Sequence, residues 1–274
     1  MPAFRGKNLR SGDLAEQLGL TLIQYLALVA PVPRTEDVGV DAVVTLLRDF
    51  DSQRYIAEDS FFVQIKSASI KSIKFDSVGT SWLYALDLPF FVASVDRLSS
   101  SIKLYCAHRL SDAFITNHAR DSLTLHLNDL NTENELVESD DNNVHIGPPV
   151  LEWSLSTLEE EGNIFPETFY KIVKEHVLIS KDNINTRKVG WAVYVRWKTN
   201  ELPNRIGFKN ASSRTPNENL ENAADAMAPY FFVWHQEIMR TGNWDEAKSI
   251  FSLLEKTKLM IENGVFPLIK PFSD

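Results

Sequence analysis

Asp41 and the tripeptide Gln64-Ile65-Lys66 fall within 26 residues of each other, each inside an apolar, β-branched run: Val40-Asp-Ala-Val-Val-Thr-Leu-Leu47 and Phe61-Phe-Val-Gln-Ile-Lys-Ser67. Both runs read as buried strands. A carboxylate, an amide and a lysine inside such strands need a reason, because charged groups are rarely buried without a partner. Side chains alternate along a strand, so Gln64 and Lys66 share a face with Phe62, and Phe61, Val63 and Ile65 take the other. Asp41 on the neighbouring strand is a natural partner for Lys66. The Asp41 carboxylate, the Gln64 amide oxygen and the backbone carbonyl of Ile65 form an oxygen set suited to a hard divalent cation, magnesium first and manganese as a substitute. Such a cation polarises a phosphodiester and lowers the pKa of a bound water. Lys66 can orient that water or offset charge in the transition state. Glu16, on a helix ahead of the strands, can reach the same ion or hold a ligating water. Neutral Gln64 in place of a second carboxylate weakens metal affinity and makes occupancy depend more on bound phosphate.

The elements that must position these groups are legible in outline. Ser11 can cap a helix with Asp13 in its first turn, and that helix runs through Leu14, Leu18, Leu22 and Tyr25 before Pro31 and Pro33 end it. The apolar stretch from Leu18 to Val32 reads as buried helix and falls short of the roughly 20 residues that span a bilayer. Residues from Asp49 to Asp59 form a polar, hairpin-type connection between the two strands. Asp76 to Leu86 makes a short helix carrying Trp82, followed by strands at Phe90 to Val95 and Ile102 to Ala107. The order helix, strand, strand, helix, strand, strand gives a mixed α/β core of about 110 residues.

With the residues in place, a resemblance becomes specific. Glu16 on the first helix, Asp37-Val-Gly-Val-Asp41, Val63-Gln-Ile-Lys-Ser67, Trp82 and the Pro89-Phe-Phe-Val strand resemble the PD-(D/E)XK nuclease superfamily. The similar branch is the Mrr-like one, with a glutamate helix, D-x-G-x-D and Q-x-K. The likeness covers residues 9 to 107, about a third of the chain. It implies a restriction-endonuclease-like core, a mixed central sheet flanked by helices, with an α+β C-terminal extension. It implies Asp41, Gln64 and Lys66 as the catalytic core, Glu16 as the helix acid, Asp37 outside the metal site, and magnesium-dependent endonuclease cleavage of DNA in bacterial antiviral defence or DNA processing. No proline precedes Asp41, and residues 111 to 274 resemble nothing nameable.

Composition bounds the rest. The net charge of -9 is uneven. Residues 1–110 carry 12 basic and 12 acidic side chains, residues 111–165 one basic (Arg120) against 12 acidic, and residues 166–274 carry 15 against 13. We therefore expect a nuclease-like core over 1–110, an acidic, loop-rich segment over 111–165, and an α+β region of open role over 166–274. Loops are expected around Asn128 to Glu135 and Glu138 to Asn143. Residues 187 to 198 alternate like a strand, with Val189, Trp191, Val193, Val195 and Trp197 on one face. Lys188, Arg196 and Lys198, within a wider basic stretch that includes Lys181, Arg187, Arg205, Lys209 and Arg214, can contact phosphates, with Tyr194 or Phe208 available for stacking; a solvated strand face accounts for them equally well. The tail from Asn219 to Asn263 has helical spacing, its Trp and Phe residues reading as core. The six histidines show no metal-ligand spacing with Cys106, the single cysteine, which reads as a packed thiol. One cysteine and an N-terminus without a signal-peptide pattern favour the cytoplasm. DNA and either a second copy or a partner protein are the expected partners, and no membrane. The rival reading is a nuclease-like domain that binds nucleic acid or protein without cutting.

Overall fold

The computed structural model describes residues 7–33, 39–51, 54–128, 141–162, 164–211 and 213–263. In chain order they form α1 (Lys7–Gln24), β1 (Ala27–Pro31), β2 (Ala42–Asp51), β3 (Arg54–Ser67), β4 (Ser72–Phe75), α2 (Ser77–Ala85), β5 (Phe90–Asp96), β6 (Ser101–Cys106), α3 (Arg109–Thr116), β7 (Leu123–His126), β8 (Asn143–His145), β9 (Leu151–Ser154), α4 (Leu155–Glu161), α5 (Ile164–Thr186), β10 (Trp191–Arg196), β11 (Asn204–Asn210), α6 (Pro216–Arg240) and α7 (Trp244–Asn263). The chain divides into two units, Met1–Arg187 with Trp191–Ala211, and Lys188–Gly190 with Ser212–Asp274.

The first unit is mixed α/β. Its central sheet has the order β1-β2-β3-β5-β6-β9. Only β3 and β5 run parallel; the other neighbours are antiparallel. A parallel pair needs a crossover, which β4 and α2 supply. The middle strand β5 is buried from Phe90 to Val95, which is why it reads as an unbroken apolar run. One sheet face, with Ala42, Val44, Phe61, Val63 and Ile65, packs under α1 and α5. The other, with Val92 and Tyr105, packs under α2, α3 and a three-stranded sheet of order β4-β7-β8.

Several elements differ from their sequence pattern. α1 starts at Lys7, so Ser11 lies inside the helix, because Lys7 to Arg10 contains nothing that stops one. The apolar stretch after Leu18 is helix only to Gln24. The chain turns at Tyr25 and Leu26, and Ala27–Pro31 becomes an edge strand paired with β2. A short apolar run does not tell strand from helix, and Pro31 is tolerated because it sits at the end of an edge. β2 and β3 extend through the polar stretch between Asp49 and Asp59, where cross-strand Arg48–Glu58 replaces apolar pairing. β9, inside the acidic segment, pairs with β6 in the central sheet. Residues 129–140 of that segment, where loops are expected, lie outside the described residues.

β10 and β11 form a two-stranded ribbon whose register shifts between Tyr194 and Val195. The shift breaks the simple alternation: Ala192 and Trp197 are buried, and Trp191 is exposed and stacks on Phe208. The second unit contains α6 and α7, joined through Gly242 at φ 77°. Ile238, Ala247 and Ile250 are buried there, with Phe231 and Met239 against them. Trp234 and Phe251, expected in the core, are about half exposed, as are Phe232 and Trp244. Two helices give each other one face, too little to enclose every aromatic ring.

Candidate active site

β2 and β3 carry the candidate site at the end of their ladder. Ala42 pairs with Val63, so Asp41, one position beyond, stands opposite Gln64. The Asp41 amide donates to the Val63 carbonyl at 2.9 Å, and the Ile65 amide donates to Asp41 Oδ2. The N–H and C=O of one strand residue point to the same neighbour. The Ile65 carbonyl is therefore directed to the side on which Asp41 lies. Gln64 is 8% exposed, and its Oε1 is buried without a hydrogen bond. A buried amide oxygen without a donor is destabilising unless something else takes its lone pairs. Lys66 is half-buried two residues on, level with Ser94 of β5. Ile65, Val63 and Phe61 point into the core under α1, which puts Gln64 and Lys66 on the opposite face with Phe62.

Two glycines set this geometry. Gly39, two residues before Asp41, has φ 82°, and a Cβ there would stand 3.1 Å from the Trp82 ring of α2. Glycine is the residue that adopts that backbone and allows that approach. Trp82 in turn meets Phe90 edge-on and Phe75 face-on. Asp76 caps α2 through Gly79 N at 2.9 Å and so fixes the helix that presents Trp82. On the other layer, a Cβ at Gly19 would lie 2.9 Å from Ile65 Cγ2 and 3.0 Å from Val95 Cγ2. α1 thus lies close on β3 and β5. Glu16 is half-buried one turn before Gly19, on the layer opposite Gln64 and Lys66. Asp37 lies outside the described residues.

No family model, curated protein or solved structure matches this chain. The site therefore stands on its own geometry.

Most of the basic stretch has structural work. Arg187 is 4% exposed and donates to the carbonyls of Tyr84 and Leu86 at the C-terminal end of α2, under cation–π contact with Tyr84 and Phe114. It satisfies helix-end carbonyls and is enclosed by protein. Lys181 pairs with Asp59, Lys209 with buried Asp112, and Arg205 with Asp182. Of the three residues proposed to touch nucleic acid, Arg196 and Lys198 are exposed in the first unit, and Lys198 lies 3.9 Å from Glu201. Lys188 belongs to the second unit, where its carbonyl accepts from Arg214.

Around Glu58 and Asp59 of β3, Lys174 and Lys181 of α5 form an ion-pair cluster with Arg48 and Tyr170. Hydrogen bonds from Lys174, Tyr170 and Arg48 hold the Glu58 carboxyl down to about 2.

Two of the histidines meet the single cysteine in space. Ligand atoms of Cys106, His108 and His176 all lie within 4.8 Å of one another, and all three residues are buried. His176 follows His108 by 68 positions, so only the packing of α5 against the end of β6 reveals the cluster. Burial pushes the Cys106 thiol up to about 12, against hydrogen bonds from Ser180 and the His108 amide. Burial, aided by the charge of Arg109, pulls His108 down to about 3, and burial also lowers His176 well below the usual imidazole range.

Proposed function

We propose that this chain is a metal-dependent nuclease of restriction-endonuclease-like fold that hydrolyses DNA phosphodiester bonds. The observation that carries the reading is the buried Gln64 Oε1 without a hydrogen bond, opposite the Asp41 carboxylate at the end of the β2–β3 ladder. That donor set, with the Ile65 carbonyl on the same side, fits a hard divalent cation such as magnesium or manganese. A bound cation would polarise the phosphodiester and lower the pKa of a coordinated water.

The chain's own groups do the rest. The Ile65 amide holds Asp41 Oδ2 in one orientation, so the carboxylate needs no reorganisation to present its other lone pairs. Lys66, on the face of Gln64, offsets negative charge on the phosphate and positions the attacking water. Glu16 stands on the α1 layer, across the sheet from Gln64 and Lys66, and the reading does not depend on it. The mixed sheet, with its parallel β3–β5 pair and helices on both faces, supports the fold assignment. Cutting both strands takes two such sites, so a homodimer or a partner-protein complex is the working form, and bacterial defence or DNA processing the setting.

The test is incubation of the full chain and its Lys66→Ala variant with supercoiled plasmid, linear duplex and single strands, in Mg²⁺, Mn²⁺ or EDTA. Metal-dependent cleavage by the parent, reduced at least 100-fold in the variant, supports the reading. Equal cleavage by both proteins, or none by either, removes it.

A further inference from the structure

Four buried polar groups from three elements meet behind the central sheet. Cys106 ends β6, His108 directly precedes α3, and His176 and Ser180 lie one turn apart on α5. They form a chain: Cys106 Sγ to Ser180 Oγ at 3.2 Å, Ser180 Oγ to His108 Nδ1 at 3.0 Å, and His108 Nε2 to His176 Nδ1 at 2.7 Å. Trp197 lies edge-on to both imidazoles and closes the site.

The protons do not match the contacts. In the neutral state each of the four groups carries one proton, and three contacts use three donors. If the bonds run from Cys106 towards His176, the surplus proton sits on His176 Nε2, which is buried without a hydrogen bond. If they run the other way, that nitrogen is a bare lone pair and the surplus proton is the Cys106 S–H. A thiol is the weakest donor of the set, so the second arrangement strands the less demanding proton. It leaves two neutral imidazoles beside a sulfur whose proton has no acceptor. A cavity of about 20 Å³, room for about one water, adjoins His108 and Ser180.

We propose that Cys106, His108 and His176 bind one zinc ion. Thiolate and imidazole are the ligands that zinc takes, and three protein ligands leave its fourth position for a water. Binding forms one Zn–S bond and Zn–N bonds to His108 Nε2 and His176 Nδ1; Cys106 Sγ releases its proton to solvent, and the proton on His176 Nδ1 moves to Nε2. The Ser180 hydroxyl and the His108 amide, already directed at that sulfur, remain as hydrogen bonds to the thiolate. For both imidazoles to ligate one ion their 2.7 Å contact opens to roughly 3.4 Å, the separation that tetrahedral zinc imposes. The site is separate from the Asp41 constellation in its ligands and in the class of metal it takes.

The test is titration of the full chain, stripped with EDTA and kept reduced, with Co²⁺ as a visible stand-in for zinc, followed by Zn²⁺ displacement. The expected result is one equivalent of Co²⁺ bound with intense tetrahedral d–d bands and a near-ultraviolet thiolate-to-cobalt band. Because the chain has a single cysteine, that band reports Cys106. It should vanish in Cys106→Ser, weaken at least tenfold in affinity in His176→Leu, and persist in Asp41→Ala, which separates this site from the nuclease reading. A folded parent protein without the charge-transfer band, or a band of undiminished affinity in His176→Leu, overturns the proposal, leaving the cluster a hydrogen-bonded part of the core. The parent measurement decides the matter even where a variant fails to fold.

Discussion

Asp41 Oδ2 accepts a hydrogen bond from the Ile65 amide, 24 residues away in the chain, at 2.5 Å. The same carboxylate therefore has two duties: it closes the β2–β3 ladder where the backbone of β2 turns away, and it forms one wall of the proposed metal site. Substitution separates the duties. Asp41→Asn keeps an acceptor for Ile65 and removes the charge, so it should melt close to the parent and lose at least 100-fold in cleavage. Asp41→Ala should lose cleavage and also about 1 kcal/mol of stability, because the Ile65 amide loses its acceptor. Thermal melts beside a plasmid-nicking assay check both; Asp41→Asn cleaving within tenfold of the parent would remove Asp41 from the site.

Gln64 allows the opposite experiment. If its buried Oε1 serves a cation, Gln64→Glu adds the missing negative charge and should lower the Mg²⁺ concentration for half-maximal cleavage by about tenfold. Gln64→Leu removes an oxygen that has no hydrogen bond in the protein, so the variant should fold at least as stably as the parent while losing cleavage. A Mg²⁺ titration of initial rates reads the first, and urea unfolding the second.

At Gly39, alanine meets two obstacles: φ of 82° and a Trp82 ring 3.1 Å from the new methyl. We expect Gly39→Ala to cost about 1–3 kcal/mol by denaturant titration and to reduce cleavage through the displaced Asp41. Pairing it with Trp82→Leu should recover only part of the loss, since the backbone strain remains. Full recovery would show the ring contact alone to be responsible.

Lys209 is the ion-pair partner of Asp112, which is 3% exposed. Lys209→Ala removes one partner of a buried carboxylate and should destabilise the protein by about 3 kcal/mol. The paired change with Asp112→Asn should recover a good part of that, and a double-mutant cycle by urea unfolding measures the coupling.

Two acid transitions follow from the buried and paired groups. His108 is held near 3 when folded and titrates near 6.5 when unfolded, so between those values the unfolded chain binds the extra proton. Stability should fall as pH drops below about 6.5, by about 1 kcal/mol per pH unit for this residue, with His176 adding in the same direction. Glu58 contributes lower down. Its stabilisation is fully present above the unfolded value of about 4.3 and is lost as pH falls towards about 2. Urea unfolding from pH 7 down to pH 2 should show the first slope, flattened in His176→Leu, and Glu58→Gln should be less stable than the parent by a constant amount above about 4.3 and converge with it towards about 2. Bound zinc would steepen the first transition, because protons compete for its ligands.

The apolar parts of β2 and β3, the positions of α2, β5 and β6, and the alternation that puts Gln64 and Lys66 on one face were legible in the sequence, because β-branched runs and period-two burial are local properties. Tertiary structure decided what depends on a partner. Ala27–Pro31 is a strand because β2 offers an open edge, and the polar ends of β2 and β3 stay extended because Lys174 and Lys181 of α5 answer Glu58 and Asp59. Arg187 looks like a phosphate ligand in the sequence and caps α2 in the fold. The Cys106–His108–His176 group had no local signal, since its third member arrives on a helix 68 residues later, and spacing along a chain carries no information about which buried groups packing brings into contact.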